Sequence, residues 1–191
     1  MSKGRLEAFS DGVIAVIITI MVLELKAPHG DDLTALGHVL PEFLCYILSF
    51  VYVGIYWNNH HHLLHAIQHV NGRILWANLH LLFWMSLIPF ATAWAGNSQF
   101  ATVPMALYGT TLLLTGTAYW VLVRALIAQH GQDSLVAKSV GRDFKGVASI
   151  AIYALAIPLA FVNVWLAGAL YVLVAGIWLI PDTRIENNLT A

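Results

Sequence analysis

A carboxylate inside an apolar run is the first feature of this sequence whose chemistry needs an explanation. The run Arg5-Leu6-Glu7-Ala8-Phe9-Ser10-Asp11-Gly12-Val13-Ile14-Ala15-Val16 places Asp11 about one turn inside an apolar segment. An ionised side chain at bilayer depth costs about 3 kcal/mol or more unless it is paired or hydrated. Asp11 is therefore expected to face protein and to have a partner. The residues at matching depth are Asn78, His80 and the His60–His62 group, and a network of Asp11 with these is expected. The competing reading is that Ser10 and Asp11 only cap a helix start.

A second concentration of chemistry lies in His60, His61, His62, His65 and His69. If that stretch is helical, His61, His65 and His69 share one face at i, i+4 and i+8. Imidazoles at such spacing can hold zinc or copper, and they titrate near neutral pH. No cysteine partner and no His-Glu-x-x-His motif accompanies them. A pH-sensitive rim and simple interfacial packing stay open beside a metal site, and no residue is assigned as a metal ligand.

The elements that position these residues follow from composition. Only 10% of the 191 residues are charged, against about 25% in soluble domains, so a soluble fold is disfavoured. A span needs about 20 mostly apolar residues. Six stretches qualify, roughly 8–26, 40–57, 75–95, 102–127, 146–162 and 164–180. Helices satisfy their own backbone hydrogen bonds in lipid, so the expected fold is an all-α integral membrane protein with six transmembrane helices. The last two stretches meet around Asn163, near Pro158, and should form a hairpin. The first stretch lacks a small-x-small cleavage site and contains Asp11, so it reads as a retained span. No internal repeat or second domain stands out, and one membrane domain is expected over 1–191.

Lys3, Arg5, Arg73, Arg124, Lys138, Arg142, Lys145 and Arg184 fall on or near one side of this topology, and Lys26 on the other. That bias puts both termini in the cytoplasm. Trp76 with Trp94, and Trp165 with Trp178, bracket two spans as interfacial anchors do. The single cysteine, Cys45, permits no intrachain disulfide, and the net charge of −1 gives no sign of nucleic acid. Gly109, Gly116, Gly168 and Gly176 allow close helix approach.

Within the first span, Val16, Ile20 and Leu23 are spaced by four and then three, which puts them on one helix face. Thr19 flanks that stripe, and Asp11 lies about 140° from Val16 at 100° per residue. Two surfaces of this helix therefore need protein or water rather than lipid.

These residues resemble a known family. Arg5-x-x-x-Phe9-Ser10-Asp11 is similar to the signature of the endosomal/lysosomal potassium channels (transmembrane protein 175) and their prokaryotic relatives. Tyr56-Trp57-Asn58-Asn59-His60-His61 resembles the family's Tyr-Trp-x-x-His-His, and Asn78-Leu79-His80-Leu81-Leu82-Phe83 followed by Ser86-Leu87-Ile88-Pro89-Phe90 resembles its third span. The resemblance covers the first half of the chain; the second half matches in span count and length. It implies a potassium-favouring cation channel, a homotetramer whose central pore is lined by the first span of each subunit. Constriction positions then carry over onto Val16, Ile20 and Leu23, with Thr19 at the filter threonine. Val16 is smaller than the aliphatic residue usual at its position. The motif residues Arg5, Phe9, Ser10 and Asp11, with Trp57, His60, His61, Asn78 and His80, would pack the pore helix. The resemblance implies no cofactor, with potassium as the permeant ion, and a cell-membrane location.

Such a pore would differ from the carbonyl-ring filter of TVGYG-type channels. Tyr108-Gly109-Thr110 is a poor fragment of that loop and sits mid-span. Aliphatic rings can instead gate by dewetting, with Thr19 hydroxyls meeting a partly stripped ion. Glu24, near the outer mouth, either concentrates cations or pairs with Lys26. The runner-up is a proton-coupled secondary transporter, kept open by Asp11 and the histidines. Carriers favour midplane polar sites, whereas the polar groups here cluster at the inner edge and the midplane reads as nearly all apolar. A membrane enzyme is disfavoured, because no nucleophile–base constellation stands out.

Overall fold

The computed structural model describes residues 2–141 and 143–179. Arg142, Arg184 and the end of the sixth stretch lie outside the described residues. The elements are α1 (Lys3–Leu23), α2 (Leu33–His38), α3 (Leu40–His65), α4 (Gly72–Ser86), α5 (Ile88–Asn97), α6 (Thr102–His130), α7 (Leu135–Val140), α8 (Phe144–Ala160) and α9 (Val164–Leu179). The protein is an all-α, multi-pass membrane protein. Among the described residues four segments are long and apolar enough to cross a bilayer: α1, α3, the α4–α5 pair and α6. The apolar helices α8 and α9 have 17 and 16 residues. At 1.5 Å per residue α8 reaches about 25 Å, short of the roughly 30 Å hydrocarbon core.

The expected third span is two helices in line. Pro89 has no N–H to return to the Met85 carbonyl, so the ladder breaks there. The Ser86 hydroxyl donates to Phe83 O at 2.7 Å, and Leu87 N to Trp84 O at 3.2 Å, tightening the last turn of α4. The α8–α9 hairpin forms as expected. Asn163 Oδ1 accepts from the backbone N–H groups of Trp165 and Leu166 at 3.0 and 3.3 Å, capping the start of α9.

The bundle has two apolar centres. One joins Leu6, Ile14, Ile17 and Met21 of α1 to Leu81 and Met85 of α4 and Leu122 and Leu126 of α6. The other joins α3, α5, α6, α8 and α9 around Tyr52, Tyr108, Tyr153 and Tyr171. Glycines permit two close crossings. A Cβ on Gly96 would lie 2.6 Å from Glu42 Cα, and one on Gly109 would overlap the Tyr171 phenol. Gly176 has open space around it, so no close approach depends on it.

The nearly all apolar interior holds a buried hydroxyl cluster: Ser49 of α3 bonds Thr92 Oγ1 at 2.6 Å and Tyr108 Oη at 2.9 Å. Tyr171 donates to Met105 O at 3.1 Å. These hydroxyls spend their donors inside the subunit, so they tie helices together rather than present a ligand site. Trp178 is more than an interfacial anchor, since its indole donates to Ser149 Oγ on α8 at 2.9 Å.

Candidate functional site

The first helix is covered on one side only. Leu6, Ser10, Ile14, Ile17 and Met21 are buried against α3, α4 and α5. Their spacing of four, four, three and four draws one stripe along the helix. On the opposite side, Val16, Ile20 and Leu23 are 54%, 43% and 79% exposed, and Thr19 is exposed with them. Counting about 100° per residue, this second stripe lies nearly diametrically across from Ile14. Thr19 donates its hydroxyl proton to Val16 O at 2.9 Å. Its oxygen lone pairs are left for a ligand on the uncovered side.

The motif residues divide between these two sides. Ser10 is fully buried and heads a polar chain across three helices. Its hydroxyl donates to Leu6 O at 2.9 Å. It accepts from Asn78 Nδ2 at 2.9 Å, and Asn78 Oδ1 lies 2.7 Å from His60 Nε2. With Asn78 Oδ1 as acceptor, His60 carries its proton on Nε2. Its Nδ1 is buried with no hydrogen-bond partner among the described residues.

The expected hub of this network was Asp11; the structure places Ser10 there instead. One residue further along α1 turns Asp11 about 100° away from the core, where it is half-buried and Oδ1 accepts from Trp57 Nε1 at 3.1 Å. His80 is likewise not in the network. It sits about 200° round α4 from Asn78, exposed, with its Nε2 accepting from Trp84 Nε1 at 2.9 Å.

Asp11–Trp57 is one rung of a ladder. Glu7 Oε1 lies 3.5 Å from His61 Nδ1, and Lys3 Nζ donates to His65 O at 3.3 Å. Lys3, Glu7 and Asp11 are four apart on α1, and His65, His61 and Trp57 are four apart on α3. Two antiparallel helices with a constant register meet in this way. Lys3 and Glu7 are rung residues that the motif reading passed over; their i, i+4 spacing with Asp11 was the available signal. Arg5 and Phe9 lie on the uncovered side, both exposed.

The histidine tract splits. α3 continues past the apolar stretch to His65, so His61 and His65 do share a face, with ring centroids 5.3 Å apart. His69 lies beyond the helix end, its backbone N–H 3.4 Å from His130 Nε2, so the three-histidine face does not form. Among the described residues no three His, Cys, Asp or Glu side chains converge as a metal set.

Glu24 caps the end of α1 and is exposed. It borders a small depression shared with Glu42 and Tyr46. No ion pair joins it to Lys26 among the described residues.

Comparison with known proteins places this geometry. The family model for the endosomal/lysosomal potassium channel TMEM175 matches residues 5–89. A protein of Chryseobacterium sp. (strain P1-3) named as a potassium channel is 55% identical over 189 residues, covering 99% of this chain and 98% of its own. The chain belongs to the TMEM175 family. The crystal structure of a lysosomal potassium-selective channel TMEM175 homolog from Chamaesiphon minutus superposes with a TM-score of 0.81 at 26% identity, over 93% of this chain and 96% of that one. The mouse endosomal/lysosomal proton channel TMEM175 is 33% identical over 116 residues, 54% of this chain and 23% of its own. The matched residues run from α1 through α4 into the start of α5 and include Ser10, Asn78 and His60 and every residue of the ladder except Lys3. The protein is a channel-family member and not an enzyme.

Proposed function

We propose that this chain is a subunit of a potassium channel, and that the uncovered stripe of α1 lines its pore. The carrying observation is the division of α1 into a fully packed side and an opposite side of Val16, Thr19, Ile20 and Leu23 left open by the subunit. A bundle that buries Ile14 and Met21 but leaves four pore-type residues uncovered is incomplete alone. The close relative named a potassium channel supports the reading.

In this reading four copies assemble, each a single membrane domain over 1–191 in which α1, α3, α4–α5 and α6 cross the bilayer and the α8–α9 hairpin completes the expected six apolar segments. The termini are cytoplasmic and the location is the cell membrane. Rings of Val16, Ile20 and Leu23 form dry constrictions that conduct when a small helix rotation admits water. The Thr19 hydroxyl donates inward to its own helix, so each subunit turns lone pairs toward the axis. A ring of such oxygens compensates a cation that has shed part of its water. Potassium, which holds its shell less tightly than sodium, is favoured. Arg5 and Phe9 pack against the adjacent subunit, and Glu24 raises local cation concentration at the outer mouth. No cofactor is required.

A second reading, proton conduction, is favoured by the name of the mouse relative. Both are tested by flux from liposomes loaded with potassium and a pH dye. Potassium efflux that exceeds sodium efflux, and that Ile20→Asn accelerates, supports the constriction. Acidification without potassium movement would favour the proton reading, and equal leak of both cations would remove the selectivity.

A further inference from the structure

A groove runs between α4 and α6, on the side of α4 away from α1. Its volume is about 910 Å³, open along one side, and Arg73, Trp76 and His80 line it with Val121, Ala125 and Gln129. Its composition changes along its length. The Arg73 end is polar, closed by the Asn71–Gln129 hydrogen bond. The floor toward Val121 is aliphatic. Trp76 is 75% exposed and stands between the two.

Among the described residues no acidic side chain lines the groove. His80 Nε2 accepts from Trp84, so its remaining ring nitrogen carries the proton and is a donor. Arg124, beside Ala125 on α6, is held with its guanidinium 5.6 Å from the Trp120 ring centroid. The groove and its flank therefore offer cations and donors above an apolar floor.

We propose that this groove binds an anionic phospholipid of the cytoplasmic leaflet. The phosphodiester sits at Arg73, the glycerol region against Trp76, and an acyl chain lies over Ala77, Val121 and Ala125. The inference rests on the orientation given under Proposed function, which sets the start of α4 at the inner headgroup level. Basic pockets between spans on that side suit anionic headgroups, and tryptophan suits the boundary between headgroup and chain. Charge complementarity selects lipid over a second copy of this chain. The acids on α1 that a copy would bring, Glu7 and Asp11, are already engaged by His61 and Trp57.

The test uses the purified full chain in detergent, titrated with brominated-chain phosphatidylglycerol or phosphatidylcholine, reading tryptophan quenching. Phosphatidylglycerol should quench at lower concentration. Trp76→Phe should remove most of that saturable component. Arg73→Gln should weaken phosphatidylglycerol by about fivefold, the worth of one basic residue at an anionic surface, while phosphatidylcholine is unmoved. Arg73→Lys should restore most of the difference and so exclude misfolding as the cause. Inorganic phosphate should not compete; competition by phosphate would overturn the lipid as ligand. Equal quenching by both lipids, or Arg73→Gln without effect, overturns the proposal, as does disulfide crosslinking of Trp76→Cys between subunits. The quenching is read without ion flux, so it fails or succeeds separately from the channel reading.

Discussion

Replacing Asn78 by leucine should be the most damaging single change at the motif. Asn78 is fully buried and joins Ser10 on α1 to His60 on α3 through bonds of 2.9 and 2.7 Å. Interhelical hydrogen bonds within membrane proteins are worth about 0.6 kcal/mol on average and roughly 1–2 at most. Losing two costs about 1–2 kcal/mol. The His60 Nε2–H is then left buried without an acceptor, adding about 1–3 kcal/mol. Ser10 stays satisfied, because its hydroxyl still donates to Leu6 O. The sum is about 2–5 kcal/mol, a fall on the order of 10 °C in midpoint for a chain of this size. Asp11→Asn keeps an oxygen for the Trp57 indole at a half-exposed site and should cost under about 1 kcal/mol. Heating both variants in detergent and following the surviving folded peak by size-exclusion fluorescence gives the ranking directly. If Asp11→Asn falls as far as Asn78→Leu, the assignment of Ser10 and Asn78 as the buried hub is refuted.

Gly109→Val should destabilise by about 2 kcal/mol or more through overpacking against Tyr171, whereas Gly176→Ala, with open space around it, should be neutral in the same thermal assay. Thr19→Ala should leave folding intact and reduce the potassium-over-sodium flux ratio, measured in parallel liposome preparations; an unchanged ratio would take the threonine out of selectivity. Glu24→Gln should slow potassium entry at low ionic strength and converge on the parent rate near 1 M salt, where the screening length is about 3 Å. A deficit that persists at high salt would point to a structural role instead.

Much of the fold was legible because lipid leaves few choices: long apolar runs with segregated basic residues read directly as helices. The α4–α5 break was harder to see, since Pro89 is tolerated in spans and the hydrophobic run continues through it. Helix ends near the surface are harder to read where polarity and helicity part company, as in α3, which continues past the apolar stretch and carries its histidines to His65. At the site, the stripe of Val16, Ile20 and Leu23 followed from spacing alone. Which polar residue met which did not, because depth was known but rotation about each axis was not. Ser10 and Asp11 have nearly the same depth and differ by about 100° in direction, and that angle decides core against edge. The buried Ser49–Thr92–Tyr108 cluster was signalled only by hydroxyls in apolar spans, which need partners when buried.

The central claim, that the open stripe of α1 faces an ion pathway, is tested most directly by cysteine modification during conduction. In a Cys45→Ala background, Leu23→Cys and Val22→Cys channels would be reconstituted and exposed to a charged thiol reagent while potassium flux is recorded. Leu23 and Val22 are adjacent and both exposed in the subunit, at 79% and 46%, but point about 100° apart. The account predicts that modification at Leu23→Cys blocks potassium flux and that Val22→Cys, which points away from the open stripe, is spared. Block at Val22→Cys with Leu23→Cys unaffected would place the ion pathway on a different face of α1 and contradict it.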